Sequence, residues 1–193
     1  MKMNQNDEAL NRNKKSTLSN TKYIVLTGMF TAILCVMAQL EIPVQPIPFT
    51  LAVFAVYLIG ALLPPRYALM SVLAYILLGA FGLPVFAGLK SGFQTITGVT
   101  GGYIMAYPIM AFLSSLFYNM AKKYKVVFLT IGMLLSLFLC YLIGSLWFMR
   151  VTGNSMISAL TLCVFPYIPF DLMKIVLAIT LSTVLRKAVL RHI

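Results

Sequence analysis

Two opposite charges three residues apart, Asp171 and Lys174 in the stretch Pro166-Tyr-Ile-Pro-Phe-Asp-Leu-Met-Lys174, stand at the mouth of the last long apolar run of a 193-residue chain. On a helix, residues at i and i+3 share a face, so both side chains can project into one cavity. Ionisable groups inside an apolar segment are costly and point to a ligand or a transport pathway. A lysine suits an anionic group as a point charge, while an ionised aspartate accepts hydrogen bonds from N–H donors. Together they describe a pocket for a small ligand with an acid end and an amide-like end. A purely architectural reading uses the same residues: Pro169 suits the first helical turn, Asp171 the positive end of the helix dipole, and Lys174 snorkels outward along its stem.

Other chemistry has few candidates. The one histidine, His192, lies one residue from the end in a basic tail, and no acidic pair or Ser/His arrangement sits inside an apolar run, so general acid–base catalysis lacks its residues. Cys35, Cys140 and Cys163 are far apart, each within an apolar stretch, and read as small buried hydrophobes rather than a disulfide framework or a metal site. No G-x-x-x-x-G-K-[ST] occurs, so ATP would have to be held by other chains. No filter motif supports a channel. The formal charge of +11 is carried by short basic groups without aromatic interleaving, which argues against nucleic acid.

The elements that must position Asp171 and Lys174 belong in a bilayer. The chain is 61% hydrophobic and only 10% charged, with a mean hydropathy of +0.93, and its 15 basic and four acidic residues cannot form a polar shell. The sequence predicts an all-α integral membrane protein of six helices near 23–40, 49–63, 67–82, 101–119, 127–149 and 167–185. Pro64-Pro65 cuts the long apolar stretch 49–82 into a hairpin. Residues 1–22 read as a flexible polar tail, 23–187 as one membrane domain and 188–193 as a basic tail. With the first tail inside, 12 Lys and Arg fall on inner segments and two, Lys90 and Arg150, on outer loops. That bias places both termini in the cytoplasm.

Two irregular segments then lie outside. Glu41-Ile-Pro-Val-Gln-Pro-Ile-Pro48 has three prolines and predicts a stiff, extended loop. Residues 82–102 hold six glycines, at 82, 88, 92, 98, 101 and 102, and are too apolar for a plain solvated linker; a folded lid with backbone close to a ligand is expected. Gln39 and Glu41 are placed either in the same cavity or in a wetted interface. Gly28 and Ala32, a small-xxx-small pair, predict a close helix contact, within the chain or with a partner.

The run Ile47-Pro-Phe-Thr-Leu51, then Gly60-Ala-Leu-Leu63, Tyr75-Ile-Leu-Leu-Gly-Ala-Phe-Gly-Leu-Pro-Val-Phe-Ala-Gly88, Thr100-Gly-Gly-Tyr103 and Pro169-Phe-Asp-Leu-Met-Lys174 resembles the successive signatures of the BioY family, in order over about residues 24–187. These are biotin-binding S-components of energy-coupling factor (ECF) transporters. The resemblance implies the six-helix S-component fold in a bacterial cytoplasmic membrane and an outer pocket for biotin as transported ligand, with no cofactor or metal. It implies as partners a transmembrane coupling subunit and two ATP-binding subunits, and a toppling motion that turns the pocket inward. Asp171 and Lys174 match the family's charged pair, and Gly88, Gly101, Gly102 and Tyr103 its binding loops, while Gly28 and Ala32 fit its docking motif. The chain departs from the pattern at Ala52, at Pro64-Pro65 and over Leu89–Gln94, so Lys90, Ser91 and Gln94 are candidates by position alone. A stand-alone biotin facilitator, an S-component for another vitamin and a membrane-embedded enzyme or assembly subunit are the rival readings.

Overall fold

Proline, glycine and apolar length set where the helices begin and end. The computed structural model describes the backbone of residues 5–189 and the side chains of 20–187. The elements are α1 (Gln5–Gln39), β1 (Glu41–Ile42), β2 (Phe49–Thr50), α2 (Ala52–Leu62), α3 (Pro65–Ala80), a 3-10 turn (Ala87–Leu89), α4 (Phe93–Thr97), α5 (Gly101–Met120), α6 (Lys125–Thr152), α7 (Met156–Cys163) and α8 (Ile168–Val189). The described residues hold eight α-helices rather than the six expected: α1, α2, α3, α5, α6 and α8 overlap the expected ranges, and α4 and α7 are short additions. Among the described residues, four segments are long and apolar enough to cross a membrane: Asn20–Gln39, Gly101–Met120, Lys125–Thr152 and Ile168–Lys187.

Several expectations are corrected. The first helix starts at Gln5 rather than 23, so most of the expected flexible tail continues α1. No glycine or proline interrupts residues 5–22, and extending a formed helix is far easier than nucleating one. The Glu41–Pro48 segment is not simply extended: β1 and β2 pair antiparallel, Glu41 opposite Thr50 and Ile42 opposite Phe49. Phe49 and Thr50 therefore belong to this ribbon, and the second helix begins at Ala52 rather than 49. Of the expected tails, 188–189 continue α8, and 1–4 and 190–193 lie outside the described residues.

The short helices occupy the middle. At 11 residues α2 is only about 16 Å long, and nine of those residues are buried, so it is a core element carried by its neighbours. It packs on α5 and α8, while α3 packs on α1 and α5. Pro64 is the N-cap of α3, and Pro65 sits at its first turn, where a missing N–H costs nothing. The carbonyls left open at the end of α2 are met by side chains from elsewhere: Ser115 donates to Leu63 O, and Arg186 donates to Ala61 O through Nε (2.8 Å) and through Nη2. The Arg186 guanidinium also covers the Tyr118 ring, 3.5 Å from its centroid. Large apolar residues such as Val25, Leu77, Phe138 and Val176 are exposed on the outer faces of the bundle, as a lipid-facing surface requires.

Candidate functional site

Asp171 and Lys174 meet on the inner face of α8, each 4% exposed. Lys174 Nζ donates to Asp171 Oδ1 at 2.8 Å, and the hydroxyl of Tyr141 on α6 donates to Oδ2 at 2.6 Å. The snorkelling alternative is therefore excluded; the stem of Lys174 does not turn outward. Both carboxylate oxygens are engaged within the protein, whereas the ammonium, with three N–H donors, has spent one on Asp171. It lies 4.0 Å from the centroid of the Phe49 ring, which is itself edge-on to Phe170 at 4.9 Å and stacked on Tyr167 at 6.1 Å. The Tyr167 hydroxyl donates to Ile47 O, tying the ribbon to the start of α8. An ion pair removed from water is tolerated only with such additional partners.

Two cavities of about 50 Å³ each flank the ribbon residues. The inner one is lined by Leu137, Cys140, Tyr141, Cys163, Asp171 and Lys174 among others. The outer one is lined by Tyr75, Phe86, Ala87, Lys90, Thr95 and Ile104 among others. Ile47, Pro48, Thr50, Tyr103 and Tyr107 border both, so this segment of the ribbon and two tyrosines of α5 form a wall across one chamber. Pockets for small organic ligands generally exceed about 300 Å³, so a ligand of that size fits only when the wall shifts. A wider cleft of about 460 Å³ lies beyond, lined by Pro46, Leu89, Lys90, Ser91, Gln94 and Thr100 among others.

The expected site residues thus divide into groups. Asp171, Lys174 and Tyr103 border the chamber; Lys90 borders both its outer half and the cleft; Ser91 and Gln94 border the cleft alone. The Tyr103 hydroxyl is buried with no hydrogen-bond partner among the described residues, as is Ser145 Oγ on α6. Gly101 and Gly102 line none of these spaces: a Cβ at either would collide with Trp147 or the Ile96 backbone, so they let α5 start close against α6, where Trp147 Nε1 donates to Gly98 O at 2.9 Å. Gly88 has φ +69° and would bring a Cβ to 3.0 Å from Glu41 Oε1; it shapes the turn rather than lining the chamber. Gln39 and Glu41 also border neither cavity. Gly28 and Ala32 are exposed, and nothing among the described residues lies within 4 Å of a Cβ built at Gly28, so Gly28 meets no packing partner there.

Sequence reasoning missed Tyr141, Thr50, Phe49, Tyr107 and Tyr167. An aromatic in a hydrophobic helix looks like core until its partner is known, and only the 30-residue separation closed by the fold shows Tyr141 on Asp171.

The helices and the buried groups together describe a helical membrane protein with a buried ion pair at the inner end of a chamber bordered by tyrosines. The particular family follows from comparison. The BioY family profile matches residues 9–191, and the chain belongs to the BioY family. It is 40% identical to the "Probable biotin transporter BioY" of Pyrococcus horikoshii over 83% of this chain and 94% of the relative. It is 34% identical to the "Biotin transporter BioY" of Thermotoga maritima over 86% and 96%, respectively. Its fold is that of the crystal structure of "the S-component for biotin from an ECF-type ABC transporter", with a TM-score of 0.77, 23% identity and coverage of 96% of this chain and 95% of the other.

Proposed function

We propose that this chain binds biotin and is the substrate-specificity subunit of an ECF-type transporter. The observation that carries the chemistry is the buried Lys174–Asp171–Tyr141 cluster at the inner end of a chamber bordered by Tyr103 and Tyr107, and the family membership supplies the ligand. The pair is formally neutral. A carboxylate placed beside it would bury a net negative charge, whereas the urea group of biotin adds none and offers a C=O to the spare donors of Lys174 and N–H groups to the lone pairs of Asp171. The urea therefore points inward. The carboxylate of the valerate chain points toward the exposed Lys90, which stands where the chamber opens to the outer cleft, and the rings of Tyr103, Tyr107 and Phe49 cover the thiophane.

In this reading the chain sits in the bacterial cytoplasmic membrane with six spans and both termini inside, α2 and α3 counting as the short pair. Biotin enters from outside, and a transmembrane coupling subunit with two ATP-binding subunits supplies the energy for toppling. The Gly28/Ala32 face of α1, exposed among the described residues, is the surface offered to that coupling subunit.

The test is equilibrium binding of labelled biotin to the purified chain in detergent. The parent should bind saturably, and Lys174→Met should lower the affinity at least about 100-fold, since it removes a charged donor and leaves Asp171 buried without its cation. A folded parent that ignores biotin, or a Lys174→Met variant that binds as well as the parent, would overturn the assignment. Competition by other unlabelled vitamins separates a different S-component, and uptake in cells lacking the coupling subunits separates a stand-alone facilitator.

A further inference from the structure

Gln39, the last residue of α1, commits its side-chain amide to the backbone of the loop after α3. Its Nε2 donates to Phe86 O at 3.0 Å and to Pro84 O at 3.3 Å, and its Oε1 accepts from the Leu89 N–H at 3.0 Å. One side chain thus holds three backbone groups within six residues of loop. The same loop supplies Phe86, Ala87 and Lys90 to the outer wall of the chamber. Its own backbone ties are Val85 N–H to Leu83 O at 2.8 Å and Phe86 N–H to Lys90 O at 3.1 Å, and beyond it Gly92 N–H reaches back to Gly79 O of α3 at 2.7 Å. Phe86 plugs in at 1% exposure, its ring edge-on to Tyr75 at 5.5 Å and seated over Gly79. Leu89 is held at φ +56°, a left-handed conformation uncommon for a residue with a Cβ, at the residue whose N–H Gln39 receives.

We propose that Gln39 is the positioning residue that latches the 84–89 loop closed over the chamber and so sets the rate at which ligand is exchanged. This rests on the biotin-binding reading for its ligand, though not for the latch itself. Gln39 borders neither cavity, so it acts on the wall and not on the bound molecule. Its loss frees the carbonyls of Pro84 and Phe86 and the Leu89 N–H to water and lowers the barrier to opening. Opening serves entry and exit alike, so association and dissociation speed up together. Loss of a ligand contact would instead raise dissociation alone.

The test uses the full chain in detergent and Gln39→Leu, which is similar in size and cannot hydrogen-bond; Gln39→Ala carries the same test if the leucine variant does not fold. Hydrogen exchange of the Phe86 and Leu89 amides should accelerate roughly tenfold, as loss of one or two net hydrogen bonds implies, while α5 and α6 exchange as in the parent. Labelled-biotin kon and koff should both rise by a similar factor, with Kd changing less than either. Unchanged loop exchange, faster exchange throughout the bundle, or a rise in koff with kon fixed would each overturn the latch. If the parent binds no biotin, the ligand assignment fails, and the loop exchange alone decides on Gln39.

Discussion

At the residue scale the division of labour between Asp171 and Lys174 has a measurable consequence. Asp171 already accepts from Lys174 and Tyr141, so Tyr141→Phe should loosen the carboxylate and weaken biotin binding by roughly tenfold, the worth of a hydrogen bond to a charged group, without loss of helix content by circular dichroism. The proposed inward orientation of the urea makes a second prediction. Biotin amide, which lacks the carboxylate, should bind the parent more weakly than biotin, whereas Lys90→Ala should bind the two alike; a double-mutant cycle reads the coupling. A coupling that instead appears with Lys174 variants would reverse the ligand in the chamber. Tyr103 offers a third handle: its hydroxyl is buried with no hydrogen-bond partner within normal distance among the described residues, so Tyr103→Phe should cost little thermal stability and should lower affinity if the ligand takes that donor.

At the element scale, the close start of α5 against α6 makes glycine a packing residue where a binding loop was expected. In Gly102→Ala the new methyl would meet the Trp147 side chain and the Ile143 carbonyl, an overpacking that typically costs about 1–3 kcal/mol. The thermal midpoint in detergent should fall by the same amount with and without biotin, because the damage lies in the helix pair; a loss of affinity at unchanged stability would return Gly102 to the binding site. The end of α2 makes the same point from the other side. Its last carbonyls find donors on α5 and α8, in Ser115 and Arg186, so an 11-residue helix too short to span is held by residues far from it in sequence.

At the scale of the whole molecule, the described outer faces of the membrane-spanning segments carry many exposed large apolar residues, and two loop systems, the β1–β2 ribbon and residues 84–90, border the chamber. A rigid apolar body with charge at its ends can change tilt in lipid at less cost than one with polar flanks at mid-membrane. The exposed Gly28/Ala32 face gives the test of partnership. Gly28→Leu combined with Ala32→Leu should leave biotin binding by the isolated chain unchanged, because both residues are exposed and Gly28 meets no neighbour among the described residues, and should abolish co-purification with a coupling subunit and ATP-driven uptake. Retained assembly in that variant would move the docking surface elsewhere.

What the sequence by itself determined is what depends on local rules: apolar runs long enough to become helices, the Pro64-Pro65 break, and a charged pair one helical turn apart whose burial demands a purpose. The family was legible too, because its signatures recur in order. The ribbon at Glu41–Thr50 was not, since its pairing depends on bonds across a proline-rich loop. Nor was the continuation of α1 to Gln5, because a polar stretch next to a formed helix has no signature of its own. Only the tertiary structure decided that Lys174 turns inward, that Tyr141 anchors Asp171, that Gly101 and Gly102 serve packing, and that Gln39 reaches the loop 45–50 residues ahead of it. Each is a contact between residues distant in the chain, and side-chain type alone does not say which of many possible neighbours a folded core will supply.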